Sequence, residues 1–245
     1  MSAPAPDELA WLDDGVVVVI GASGGLGAAF VRALGERPAG PLVLGLGRGS
    51  EPALDLLDES SIARAAAWVG AQRDASQRPL RLIVDATGWL HGDGRLPEKS
   101  WRQLDAVHLA HNFAVNAIGP ALLMKHLLPL LPRQGRAVFA TLSAKVGSIG
   151  DNQLGGWYGY RAAKAALNQL VRTASIELAR SHPQALCVAV HPGTVETGLS
   201  APFSRNGLTV RPPDEAAARL LGVLSGLTPQ RSGRLVDHGG SDLPW

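Results

Sequence analysis

One stretch near the start constrains this chain more than any other. Residues 15–20 read GVVVVI, residues 21–27 read GASGGLG, and a helical segment over residues 28–36 follows. A continuous β-branched run lacks the polar alternation of a half-exposed strand, so it predicts a strand buried on both faces of a parallel sheet. The turn behind it suits close approach of a diphosphate. Gly21 permits a tight turn, Ser23, Gly24, Gly25 and Gly27 around Leu26 keep the backbone accessible, and the helix N-terminus favours negative charge.

The rest of the chain repeats the alternation. Residues 41–46 (PLVLGL), 80–84 (LRLIV), 137–140 (AVFA), 186–190 (LCVAV) and 233–237 read as further strands. Helices are expected over residues 59–73, capped near Ser60 or Ser61, through a long region ending about residue 131, and over 156–181 and 214–226. Residues 198–213 read as a polar, mobile loop. This order predicts a single-domain Rossmann fold over residues 1–245: a doubly wound parallel sheet with helices on both faces, and residues 1–14 peripheral.

Composition allows that fold and narrows the partners. The 245 residues are 46% hydrophobic and 18% charged, enough for a sizeable core. Twenty-three basic residues stand against 21 acidic ones without a basic block, so no nucleic-acid partner is expected. The single cysteine excludes an internal disulfide and points to a reducing cytoplasm. No signal-peptide pattern and no apolar run of membrane-spanning length are read, so no membrane association is expected. His108 and His111 lack a third ligand and read as ordinary helix residues, leaving no metal site.

Strand ends carry the candidate ligand contacts. The second strand ends at Gly47-Arg48, where an acid would bind a free ribose hydroxyl and a base suits a 2′-phosphate. Arg48 therefore predicts NADP(H), with NAD(H) possible. The third strand ends in Asp85-Ala86-Thr87-Gly88, whose small residues fit a close ligand. Ser143 follows the fourth strand, where a hydroxyl can enter a cleft. Asn116 interrupts a helical region just before Ala117-Ile118-Gly119-Pro120 and breaks local propensity, as functional sites often do.

Tyr160 and Lys164 lie four residues apart on one helix face. An ammonium about 4 Å from a phenol, at an effective dielectric near 20, contributes roughly 4 kcal/mol. That predicts a phenol pKa lowered from about 10 towards 7.

Together these residues resemble a short-chain dehydrogenase/reductase over nearly the whole chain, in its C-factor-like, carbonyl-reductase-like branch. The segments DATGWLH, VNAIGPALL, VGSIGDNQLGGWYGYRAAKAALN and HPGTVETGLS carry the likeness. The resemblance implies that Tyr160 protonates a carbonyl oxygen as NADPH delivers hydride. Lys164 would tune Tyr160 and hold the nicotinamide ribose, Ser143 would orient the carbonyl, and Asn116 would support a water relay. It further implies cofactor contacts from the glycine turn, Asp55 and Leu56 on the adenine side, Ala86, Thr87 and Gly88, and Pro192, Gly193, Val195 and Thr197. The substrate would be a small carbonyl or alcohol; a nucleotide-binding signalling protein with vestigial activity is the alternative. A homodimer or homotetramer is an open expectation.

Three departures from the family pattern stand out. Ile20 replaces a threonine, Asp85-Ala86-Thr87-Gly88 replaces Asn-Asn-Ala-Gly, and the usual serine position holds Ala144. A local bulge is expected to bring Ser143 into that place, with Ser148 as the substitute.

Overall fold

The computed structural model describes residues 6–92, 94–203 and 209–245. Strands β1 (Val16–Ile20), β2 (Leu42–Leu46), β3 (Leu80–Asp85), β4 (Ala137–Leu142), β5 (Ala185–His191), β6 (Thr194–Val195), β7 (Val210–Arg211) and β8 (Leu235–Asp237) alternate with helices. These are α1 (Gly25–Gly35), α2 (Glu59–Ser76), α3 (Ala106–Phe113), α4 (Gly119–Leu127), α5 (Tyr158–Ser181) and α6 (Pro213–Gly226). A six-stranded sheet runs in the order β2-β1-β3-β4-β5-β8, every pair parallel.

The pleat explains why the β-branched run is continuous. Successive residues of β1 point to opposite faces. Val16, Val18 and Ile20 join Ile62 and Val69 of α2, Leu123 and Leu127 of α4, and Leu167 and Val171 of α5. Val17 and Val19 join Phe30 and Leu34 of α1, Leu220 and Leu224 of α6, and Leu12. Each such side chain contributes about 1.5–3 kcal/mol on burial, so polar alternation would cost stability on either face. The sheet is doubly wound, as expected, with a Rossmann-like strand order.

That order places the site. From β1 the chain passes to β2 on one side, then returns to β3 on the other. The connections therefore diverge between β1 and β3, which opens a crevice at their carboxyl ends. The glycine turn and the segment after Asp85 both lie there.

Several boundaries differ from the sequence reading for physical reasons. Helix α1 starts at Gly25 with Gly24 as N-cap, so the glycine turn supplies the helix's first turn. Asp58 caps α2 by accepting from the Ser60 amide, while Ser61 instead bonds the Asp55 backbone. The long helical region holds a π segment, Ala114–Ile118, between α3 and α4. The region 198–213 is not a plain loop: β7 pairs with β6, and a short 3₁₀ turn spans Ala201–Phe203. Residues 204–208 of that expected loop lie outside the described residues.

Two further expectations are corrected. The N-terminal segment is not wholly peripheral: Leu12 is fully buried, and the Trp11 indole donates to Ser225 on α6. Ala106–Leu130 is also long and apolar enough, by length and composition, to cross a membrane. It is the α3–α4 region, which packs against α5 and α2 and carries the buried Asn112 and Asn116.

Candidate active site

The glycine turn fits an anion. Gly21 has φ of 78°, and its amide and that of Ala22 donate to Leu46 O at 2.8 and 3.1 Å. Gly27 must lack a side chain, because a Cβ there would lie 2.1 Å from Gly21 O. Ser23, Gly24 and Gly25 are exposed at the crevice mouth. No side chain caps α1, and its first turn carries no acid. Its leading amides are thus available to a diphosphate. Thr197 closes over this place: a Cβ on Gly25 would lie 2.8 Å from its methyl.

The adjacent strand end is similarly close. The Ala86 amide donates to Ile20 O at 2.9 Å, and the Gly21 Cβ position lies 3.2 Å from the Ala86 carbonyl. Beneath them Asp85 is buried and accepts from Thr141 Oγ1 at 2.6 Å, Thr87 Oγ1 at 2.5 Å and the Thr87 amide at 3.1 Å. Burial nevertheless raises its carboxyl above the ordinary value, with those bonds and Lys164 opposing.

The other predicted cofactor residues form the rim. Arg48 is exposed in a loop closed by the Leu54 amide on Gly47 O at 2.8 Å, and it makes no hydrogen bond or ion pair among the described residues. Asp55 accepts from the Leu57 amide, and Leu56 packs where a Cβ on Gly119 would sit. On the far side, Pro192 and Gly193 lead into β6, Gly193 with φ of 78° and Val195 buried.

Tyr160 and Lys164 sit on the inner face of α5, 8% and 2% exposed. The Lys164 ammonium donates to Leu142 O at 2.7 Å and lies 5.7 Å from the Tyr160 ring centroid. A Cβ on Gly88 would meet Asn116 Oδ1 at 3.6 Å and Lys164 Nζ at 3.9 Å, so the three converge. Trp89 holds Asn116 from both ends of its amide: Nδ2 donates to Trp89 O at 2.8 Å and Oδ1 accepts from the Trp89 amide at 3.0 Å. The π segment turns Asn116 inward, which accounts for its broken helical pattern.

The expected lowering of the Tyr160 pKa is not found. Burial pushes the phenol up to about 12, and burial also pushes Lys164 down to about 8, with Asp85 opposing. The ammonium lies 5.7 Å from the ring centroid, and desolvation of the buried phenol outweighs its attraction.

The expected serine geometry is also corrected. There is no bulge before Ser143: β4 pairs with β5 in unbroken register to Leu142, and the Ser143 amide continues the ladder to Val190 O. Its hydroxyl is buried and donates to Asn168 Oδ1 at 2.7 Å. Ala144 instead shares an apolar cluster with Tyr160 and Leu90, against Val146, Trp157, Leu199 and Phe203. Ser148 is turned into its own loop, accepting from the Asp151 amide. Asn168 was missed by sequence reasoning, as was the hold of the Trp89 backbone on Asn116. Asn168 was findable, since Tyr160, Lys164 and Asn168 recur every fourth residue.

A parallel sheet with a glycine turn at its switch point and a Tyr/Lys pair beside it defines a nucleotide-binding oxidoreductase architecture. A family model for short-chain dehydrogenases matches residues 15–207, and the chain belongs to that family, whose members use NAD(P)(H). It is 36% identical over 143 residues to C-signal of Myxococcus xanthus, covering 58% of this chain and 81% of that one. It is 29% identical over 238 residues to a 1-hydroxy-2-glutathionyl-2-methyl-3-butene dehydrogenase of Rhodococcus sp., covering 94% and 99%. The NADPH-bound carbonyl reductase from chicken fatty liver superposes with a TM-score of 0.80 at 26% identity, covering 94% of this chain and 98% of that one.

Proposed function

We propose that the protein is an NADP(H)-dependent oxidoreductase that interconverts a carbonyl compound and its alcohol, with Tyr160 as proton donor and acceptor. The observation that carries this reading is the convergence of Lys164 and Asn116 on Gly88, one helical turn from Tyr160 and beside the glycine turn. The uncapped start of α1 fits a diphosphate, and Arg48, free of other partners among the described residues, fits a 2′-phosphate. Asp55 and Leu56 would face the adenine, Ala86, Thr87 and Gly88 the ribose, Pro192, Gly193 and Val195 the carboxamide end, and Thr197, which stands over Gly25, the phosphate side. When bound, the reduced nicotinamide supplies the hydride.

The chain's own part is proton handling. Tyr160, with its pKa near 12, is a neutral phenol at physiological pH and can give its proton to the carbonyl oxygen. Lys164 is charged below about pH 8 and favours the phenolate that remains. Asn116, held by Trp89, would support return of a proton along the Gly88 edge. Ser143 serves this site indirectly, by holding Asn168. Leu90, Val146, Trp157, Leu199 and Phe203 give the Tyr160 cluster an apolar wall, which fits an apolar carbonyl substrate.

A second reading, a nucleotide-binding signalling protein with vestigial activity, is favoured by two observations: the likeness to C-signal, and Ala144 beside Tyr160 where a hydroxyl is absent. NADPH oxidation followed at 340 nm against apolar aldehydes and ketones separates the two. Turnover of some carbonyl supports the enzyme; tight NADPH binding without turnover of any supports the signalling reading.

A further inference from the structure

Next to Tyr160 lies a buried acid that neither nucleotide binding nor proton transfer uses. Glu98 is 3% exposed, although it comes from the segment between β3 and α3. It is tied to the start of α5 twice. Its carbonyl accepts from the Trp157 amide at 2.5 Å, and its Oε2 accepts from the Gly159 amide at 3.2 Å. Trp157 itself has φ of 52° and offers no capping side chain, so the cap of this helix is supplied by Glu98 from another segment.

The other carboxylate oxygen is the unusual one. Among the described residues, Glu98 Oε1 is buried without a hydrogen-bond partner, 3.7 Å from His108 Nδ1, and His108 Nε2 is also buried without one. Leaving such atoms unpaired costs about 1–3 kcal/mol each, so an ordinary core would have replaced them. The space they occupy adjoins Gly159. A Cβ there would lie 2.8 Å from Asn112 Nδ2 and 3.0 Å from Glu98 Oε1. Asn112 in turn accepts from Asn116 Nδ2 at 3.4 Å. His108 meets the Trp89 ring edge-on at 5.3 Å, and the Trp89 backbone holds Asn116.

We propose that Glu98, docked with Asn112 against Gly159, is a positioning residue that sets where Tyr160 stands relative to Asn116 and Lys164. Its carboxylate oxygen fixes the first turn of the helix one residue before the phenol, and the same cluster holds the asparagine. What this requires is an acceptor of the right reach, which a glutamine supplies and an alanine or aspartate does not. A misplacement of about 1 Å at a proton donor can cost about a hundredfold in rate.

This inference rests on Tyr160 being the proton donor, so the test has one arm that needs no turnover. Glu98→Ala, Glu98→Asp and Glu98→Gln are compared by amide hydrogen exchange of residues 157–163, NADPH affinity and carbonyl-reduction kinetics. Faster exchange in the first turn of α5 is expected for Ala and Asp, and near wild-type exchange for Gln. On a substrate that the wild type reduces, kcat should fall about tenfold to a hundredfold for Ala and Asp, with the NADPH dissociation constant within twofold and most of the rate restored in Gln. If Ala does not fold, Asp carries the test. The proposal is overturned if exchange is unchanged in Ala and Asp, if Gln behaves like them, or if NADPH affinity falls in step with kcat. A wild type that reduces nothing defeats the proposed function, while the exchange arm still decides whether Glu98 holds the helix.

Discussion

Removing the Ser143 hydroxyl separates a structural serine from a catalytic one. The bond it makes to Asn168 Oδ1 is 2.7 Å long, and both residues are buried, at 3% and 2% exposure. In Ser143→Ala the asparagine oxygen is left without its donor. Its remaining bond, from Nδ2 to Gly147 O at 3.5 Å, does not involve that oxygen. An unpaired buried acceptor costs about 1–3 kcal/mol. For a chain of this size each kcal/mol lowers Tm by about 2–4 °C, so the melting point should fall by about 2–12 °C. The rate should change little, about threefold at most, because the hydroxyl faces away from the Tyr160 cluster. The reverse change, Ala144→Ser, puts a hydroxyl into that cluster and should raise kcat for a carbonyl substrate. Calorimetry beside steady-state NADPH oxidation reads both effects. A hundredfold loss of kcat in Ser143→Ala at unchanged Tm would refute the reasoning and restore Ser143 as the group that orients the carbonyl.

Three other outcomes follow from the geometry and the shifted groups. Arg48→Ala should weaken NADPH binding about tenfold to a few hundredfold and leave NADH nearly unchanged, since charge-assisted hydrogen bonds contribute roughly 1.5–3 kcal/mol each; equal affinity of the wild type for both cofactors would exclude this role. His191 is held down to about 4, first by burial and then by His238. The unfolded chain therefore takes up its proton near pH 6.5 while the folded chain stays neutral to about 4, so stability drains away as pH falls through that window. At about 1.4 kcal/mol per unit the contribution is about 3 kcal/mol, and urea unfolding at pH 7 and pH 4 should show a shallower acid loss in His191→Gln than in the wild type. Alcohol oxidation needs the Tyr160 phenolate beside a charged Lys164, so with values near 12 and 8 the oxidation rate should rise with pH until about pH 8 and then level off; a rate already flat below pH 7 would contradict the raised phenol value.

The sheet was legible because β1 is β-branched throughout and meets a glycine turn, which leaves few arrangements for both faces and the turn. The Tyr160/Lys164 pair was legible from helical spacing, and Asn116 from its broken propensity. The serine register was not. Adjacent residues in extended backbone point to opposite sides, so the question was one of phase: Ala144 is extended, with φ of −147°, and faces Tyr160, while Ser143 faces Asn168. The Tyr160 pKa was misjudged because the spacing reports a neighbouring charge but not the burial of the pair. The Glu98 cap was invisible because it joins positions 61 residues apart, and only the fold brings those together.

The most direct measurement is Tyr160→Phe, tested for NADPH binding and for reduction of a carbonyl that the wild type turns over. Only the hydroxyl is lost while the ring stays, and removing a general acid costs about a hundred- to ten-thousandfold in rate. If Tyr160 is the proton donor, kcat falls by that factor while NADPH affinity and Tm stay close to wild type. Turnover within a few fold of the wild type would contradict it.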